Sequence, residues 1–364
     1  MRSGLRKRWD NLYELVERKY RGYEYRKKAK IRFKRINGGY NCKEEYANVV
    51  VPYWKKYGVK PKMIWYRLFS AESKKVDPRY IPDDMWFETI LPYFSNTQFR
   101  RYGEDKCMHG VWFPDAKRPY TVAANAAGVF YDDKFNIITR EEAARRCVEY
   151  KKFLIKPSVD SGEARLIRFF DTEELTVEKM LKVFDEFGSN FVAQQAIRQH
   201  PILAELNSSS LNTIRIVSFL FENEVHILST ILRIGGAGSR VDNIGAGGYS
   251  CAISKDGRLS KLAVNRKSEW VETNQNGLRF DSVTVPSYDR AVALVKKLHQ
   301  RLPHFKIIGW DIAIDETGDP VLIEFNSNPG QNQYSCGPTF GELTDRVLED
   351  VFIKKSLQNS RKSD

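Results

Sequence analysis

Three oxygen-bearing side chains in the last sixth of the sequence stand at a spacing that could hold a hard metal ion. Asp311 lies in the apolar, β-branched run Ile307 to Asp315. Glu316-Thr317-Gly318-Asp319 then reads as a turn, and Pro320 to Phe325 is apolar again. Pairing Asp315 with Pro320 in an antiparallel hairpin places Asp311 directly across from Glu324. Asn326, two residues further on, points to the same face. Directly opposed residues have Cβ atoms about 4.5 to 5.5 Å apart, so two carboxylates there repel unless something neutralises them. Two carboxylates and an amide oxygen suit Mg²⁺, which takes one or two carboxylates and completes its shell with substrate phosphates and water. The competing reading is an exposed hairpin with solvated acids. Apolar flanks on both strands and the polar run Asn326-Ser327-Asn328-Pro329-Gly330 count against it.

Stepping upstream, cations sit at the ends and in the interior of apolar runs. Lys156 ends Phe153-Leu154-Ile155-Lys156, and Pro157 stops the strand. Arg215 alternates with Ile214 and Ile216, and Arg233 follows Ile227 to Leu232. Beyond it, Gly235 to Gly248 carries six glycines in fourteen residues, a loop that needs positive φ or close backbone approach. Helical spacing recurs over Glu141 to Tyr150, Thr176 to Phe187 and Tyr288 to Leu302, whereas Tyr46 to Tyr102 reads as short helices joined by loops. Strands mixed with helices without regular alternation predict an α+β architecture.

Composition sets the outer limits. A chain of 364 residues with 42% hydrophobic and 13% aromatic residues is globular and long enough for two or three packed units. No apolar run approaches the roughly 20 residues of a membrane-spanning helix, and the charged start Met1 to Asp10 does not read as a secretion signal. Five scattered cysteines argue against a disulfide framework or zinc site and fit a reduced, cytoplasmic compartment. The net charge of +13 is concentrated: Met1 to Arg35 holds fourteen Lys or Arg against four Asp or Glu, so nucleic acid is not the implied partner. Within that segment Leu5, Trp9, Leu12, Val16 and Tyr20 recur at helical spacing. Two readings stay open: a helix lying on an anionic membrane surface, and a helix packed by this stripe on its own domain.

The motif Asp311 with Glu324-Phe325-Asn326-Ser327-Asn328-Pro329-Gly330 resembles the last signature of the ATP-grasp enzymes, and from about Asp105 to Phe352 the chain looks like their sugar-transfer-associated branch. The resemblance implies an ATP-grasp fold, two α+β lobes sandwiching ATP, behind a helical basic N-terminal region. It divides the chain into a basic helical segment 1–40, a helical or mixed domain 41–115, lobes 116–198 and 199–356, and a tail 357–364. It implies ATP and Mg²⁺ as cofactors, with Asp311, Glu324 and Asn326 on the metal and Arg215 and Arg233 on the transferred phosphoryl group. Lys106 of Glu104-Asp105-Lys106 would contact the nucleotide, Lys156 would bind its α- and β-phosphates, and Ser161 and Gly162 would belong to a phosphate-covering loop, with a plain β-turn as its competitor. Gln195 and Ile197 would meet the adenine edge through their backbone, His200 and Glu205 would either reach the ribose or purine or serve packing, and Asn243 would lie near the metal or phosphates. The implied reaction joins a carboxylate, such as an acidic sugar, to the amine of an amino acid. A kinase and a non-catalytic ATP-binding scaffold are the alternatives.

Overall fold

The computed structural model describes residues 2–96, 99–159, 166–171, 174–240, 242 and 247–354. The chain divides into two compact units, Met1–Asn96 with Lys267–Glu269 and Asn328–Asp364, and Thr97–Arg266 with Trp270–Ser327.

The first unit is helical. Helix α1 (Arg2–Arg35) packs by its later turns. Gly22 sits so close to Glu88 that a Cβ would collide with its carboxylate, Tyr25 stacks on Phe87 at 3.9 Å, and Ala29 is buried. Arg26 reaches Glu88 at 2.6 Å, and the Arg32 guanidinium lies 3.4 Å above the Tyr334 ring. The stripe picked out by helical spacing is not packed on this unit: Trp9, Leu12, Val16 and Tyr20 are 68%, 48%, 59% and 63% exposed. The side chain of Leu5 lies outside the described residues. Short helices follow, among them Met63–Phe69, whose Trp65, Tyr66, Leu68 and Phe69 are all buried. Residues after 327 are stitched into this unit by buried polar bonds. Trp86 Nε1 donates to the Pro329 carbonyl, while the Gln333 amide accepts from the Ile81 and Thr339 N–H groups and donates to the Ile81 carbonyl.

The second unit holds two antiparallel sheets. The first has strand order β3-β2-β1-β6-β4-β5, with β1 Thr121–Ala126, β2 Val129–Tyr131, β3 Ile137–Ile138, β4 Lys152–Pro157, β5 Arg168–Asp171 and β6 Phe191–Gln195. Helices α2 (Arg140–Tyr150) and α3 (Val177–Phe187) start where Thr139 and Thr176 accept from the backbone N–H three residues on. They bury Ala143, Ala144, Cys147, Met180 and Phe184 against Phe153, Ile155 and Phe191.

The second sheet runs β11-β10-β9-β8-β7-β12-β13, with β7 Thr213–Phe221, β8 Glu224–Ile234, β9 Tyr249–Ile253, β10 Leu259–Asn265, β11 Trp270–Val271, β12 Ile307–Ile314 and β13 Pro320–Asn326. Ile214, Ile216, Leu232 and Ile234 enter a core with Ala291, Val295 and Leu298 of the helix Tyr288–His299. Alternation therefore sends Arg215 and Arg233 to the opposite face.

Asp311 pairs with Glu324, as the sequence predicts, but the hairpin closes on a different residue. Ile314, not Asp315, faces Pro320, and a bulge at Ile323 restores the register before Glu324. The reason is the turn: the Asp315 carboxylate accepts from the N–H groups of Thr317 and Asp319 and from the Thr317 hydroxyl, so Asp315 is spent on capping.

Replacing Gln333 by Leu takes the acceptor from two buried backbone N–H groups of the first unit, those of Ile81 and Thr339, while the Ile81 carbonyl keeps its bond from Gln331. Unfolding of the full chain in urea should show a loss of about 3 kcal/mol, since one such group alone costs roughly 1–3 kcal/mol. A loss below about 1 kcal/mol would mean that the amide is not what holds this segment.

Candidate active site

A cavity of about 810 Å³ opens between the two sheets of the second unit, within the range of small-ligand sites. Leu154, Lys156 and Phe169 line it from the first sheet, and Thr213, Arg215, Arg233, Asp311, Ile323, Glu324 and Asn326 from the second. Seven Lys or Arg residues line it against four carboxylates. The bulge at Ile323 serves this wall, because an extra residue in one strand re-aims the side chains beside it.

Asp311, 3% exposed, is held by two guanidinium groups. Arg215 holds it with two nitrogens, one at 2.9 Å, and Arg233 adds a third bond at 2.9 Å. Arg233 also reaches Asp242 at 3.3 Å, whose second oxygen accepts from the Thr213 hydroxyl. Burial alone would make Arg233 easier to deprotonate, but Asp242 and Asp311 outweigh it and raise its pKa. Burial pushes Asp242 upward, with Arg233 pulling the other way. Lys106 lies 3.2 Å from Glu324. Burial works to raise the Glu324 pKa, but Lys106, Lys156, Arg233 and Arg215 overcome it and hold the group down at about 2.

Lys156 is different. It is 7% exposed, and among the described residues no hydrogen bond or ion pair takes its ammonium. Burial first, and Lys106 second, bring its pKa down to about 8, despite the pull of Glu324 and Asp311. A buried ammonium facing a cavity, with no partner among the described residues, has the chemistry to receive an anion. Nearby, His109 is buried and stacked on Phe325 at a centroid distance of 5.5 Å. Burial, Lys106 and Lys156 lower its pKa far enough to keep it neutral.

Of the residues singled out from sequence, Lys106, Lys156, Ile197, Arg215, Arg233, Asp311, Glu324 and Asn326 line this one cavity. Gln195 and Glu205 do not. The Gln195 N–H donates to the Tyr120 carbonyl and so is spent on pairing, and the Glu205 side chain is exposed on the short helix Pro201–Leu206. Ser161, Gly162 and Asn243 lie outside the described residues. The structure adds Ser208, Ser209, Arg240, Asp242 and Glu104. Asp242 was signalled by lying in the glycine-rich loop, and Glu104 by its place beside Lys106. Ser208 and Ser209 carried no signal.

Among the described residues no group of three or more His, Cys, Asp or Glu forms a metal cage. The oxygens of Asp311, Glu324 and Asn326 nevertheless fit Mg²⁺ in kind, because that ion keeps water and phosphate oxygens as partners. In the chain alone, the two carboxylates are neutralised by protein cations instead.

Lys156→Met should make the unliganded protein more stable. Between about pH 8 and 10.5 the unfolded chain holds the lysine proton and the folded chain does not, so wild-type stability rises with pH through that window. Below it the folded state carries the whole penalty, roughly 3 kcal/mol. Urea denaturation at pH 7 and pH 10 should show this rise in wild type and its absence in the variant. Equal slopes would refute the buried charge.

A family model described as sugar-transfer associated ATP-grasp matches residues 127–336, more than half of the chain. D-alanine–D-alanine ligase B of Chromobacterium violaceum is 26% identical over 118 residues, 30% of this chain and 39% of that protein, so the chain matches about two fifths of this curated relative's length. Among solved structures, the ATP-grasp ligase PsnB complexed with minimal precursor is 13% identical, with 72% of this chain and 67% of that one covered and a TM-score of 0.38. D-alanine–D-alanine ligase from Bacillus anthracis is 13% identical over 72% of this chain and 69% of that one, with a TM-score of 0.37. With its two antiparallel sheets and the cavity between them, the chain belongs to the sugar-transfer associated ATP-grasp family.

Proposed function

We propose that the protein is an ATP- and Mg²⁺-dependent carboxylate–amine ligase that joins an amino acid to an acidic sugar in surface polysaccharide assembly, working in the cytoplasm. The observation that carries the reading is the convergence of Lys156, Arg215 and Arg233 with Asp311, Glu324 and Asn326 on one cavity. A substrate carboxylate oxygen attacks the γ-phosphorus of ATP, the bond to the bridging oxygen breaks, and ADP leaves with an acyl phosphate remaining. The amine nitrogen then attacks the acyl carbon, phosphate departs, and the nitrogen loses a proton to give the amide. Positioning and charge stabilisation dominate such phosphoryl chemistry. The chain supplies it through Lys156, buried and awaiting an anion, and through two arginines that a bound phosphate would share with Asp311. Held by Asp311, Glu324 and Asn326, Mg²⁺ would draw charge from the phosphate oxygens. The family description supports a saccharide substrate, and the ligase relative supports amide formation between amino acids.

The test is ADP release from the full chain with ATP and Mg²⁺ across a panel of amino acids and uronic acids. Release should need both a carboxylate and an amine, and Glu324→Gln should lower kcat by about 10²-fold or more, as losing one electrostatic stabiliser does. Phosphate transfer to a hydroxyl with no amine present would replace the ligase by a kinase. Unchanged activity in Glu324→Gln would remove the metal assignment.

A further inference from the structure

Helix α1 presents a second face that its own unit leaves uncovered. Successive residues turn about 100° around a helix, so Tyr20 and Ala29, nine apart, point in opposite directions. Ala29 is buried with Gly22, on the side that packs. Trp9, Leu12, Val16, Tyr20 and Tyr23 follow one another at steps of three or four along the opposite side, and all are exposed. The row continues at the same spacing as Lys27, Lys30 and Lys34, also exposed, and no acidic residue falls on it.

We infer that this face lies on an anionic lipid surface, with the aromatic and aliphatic half seated at the boundary between headgroups and acyl chains and the lysine half on the lipid phosphates. Tryptophan and tyrosine favour that boundary because each has an apolar body and a polar tip. A helix with one apolar stripe and a large basic excess binds in the plane of such an interface through both terms. A second copy of the helix fits less well. Paired in parallel, the three lysines of each row would face each other, and an antiparallel pair would set them against tyrosine and valine with no carboxylate in the row. The segment's fourteen cations against four acids make either pairing repulsive. This attachment is independent of the reaction assigned to the cavity.

Flotation of the full chain with vesicles of phosphatidylcholine alone, and with about one third phosphatidylglycerol added, tests it. The expected result is binding to the mixed vesicles that falls at high salt and is at least about tenfold weaker on the neutral ones. In the variant carrying Trp9→Glu, Val16→Glu and Tyr20→Glu, binding should drop at least about tenfold. Because these side chains are exposed, circular dichroism melting should stay as in wild type. Equal binding by the variant, equal binding to neutral vesicles, or no vesicle binding with a dimer that the variant splits in sedimentation would each overturn the inference.

Discussion

A carboxylate set between two guanidinium groups on a strand with no exposed residue is the constraint around which the second unit is built. Strand β12 is buried throughout, so a charge on it survives only if paired and hydrogen-bonded. Arg215 and Arg233 meet that need with three bonds to Asp311, and the strand register puts them there: β12 pairs Asp311 with Arg215 on one side and Glu324 on the other. A one-residue slip of β7 would turn Arg215 into the core that Ile214 and Ile216 now fill. Charge pairing and apolar alternation thus specify the same register, and neither would leave the other intact if it failed.

The two walls of the cavity treat their cations differently. On the second sheet, Arg215 and Arg233 are held in place by carboxylates, which fixes their geometry before any ligand arrives. On the first, Lys156 has no such hold and carries the cost of burial in its lowered pKa. A polyanion between the walls would share the arginines with Asp311 and give Lys156 the close partner that it does not find among the described residues. Asp242 extends the same logic to the glycine-rich loop, since one carboxylate bonds both Thr213 of β7 and Arg233 of β8.

Much of this was legible in the sequence because it rests on local rules. A charge alternating with isoleucines must leave the core face of a strand, and a turn between two apolar runs fixes which residues oppose each other. That logic set Asp311 across from Glu324, while Arg215 was joined to them through the resemblance to the ATP-grasp signature. It failed where a side chain had a second use: Asp315 was counted into the ladder, but its carboxylate closes the turn, and the bulge at Ile323 compensates. Gln195 and Glu205 missed the cavity for related reasons, the first because its N–H pairs with Tyr120 and the second because its side of the short helix faces out. On α1 the helical periodicity was right, and of the two readings left open, packing of the stripe on its own domain is not what the structure has. Spacing identifies a face without saying what covers it, and here Gly22, Tyr25 and Ala29 make the close approach while Trp9, Leu12, Val16 and Tyr20 stay outside.

Glu104-Asp105-Lys106 shows how a tripeptide with little signal of its own acquires weight in the fold. Asp105 caps its own turn by accepting from the Cys107 N–H, which points its neighbours in a set direction. Glu104 then accepts from both the N–H and the hydroxyl of Ser327, at 2.7 and 2.8 Å, while Lys106 pairs with Glu324. The two side chains therefore grip both ends of the segment that carries Glu324 and Asn326. The backbone N–H of Lys106 donates to the Ser158 carbonyl, two residues past Lys156, so the same turn is tied to the end of β4. One short turn thus sets the carboxylates of the second sheet at a defined distance from the lysine of the first. Without these bonds the separation between the two walls would lose the reference that Glu104, Asp105 and Lys106 give it.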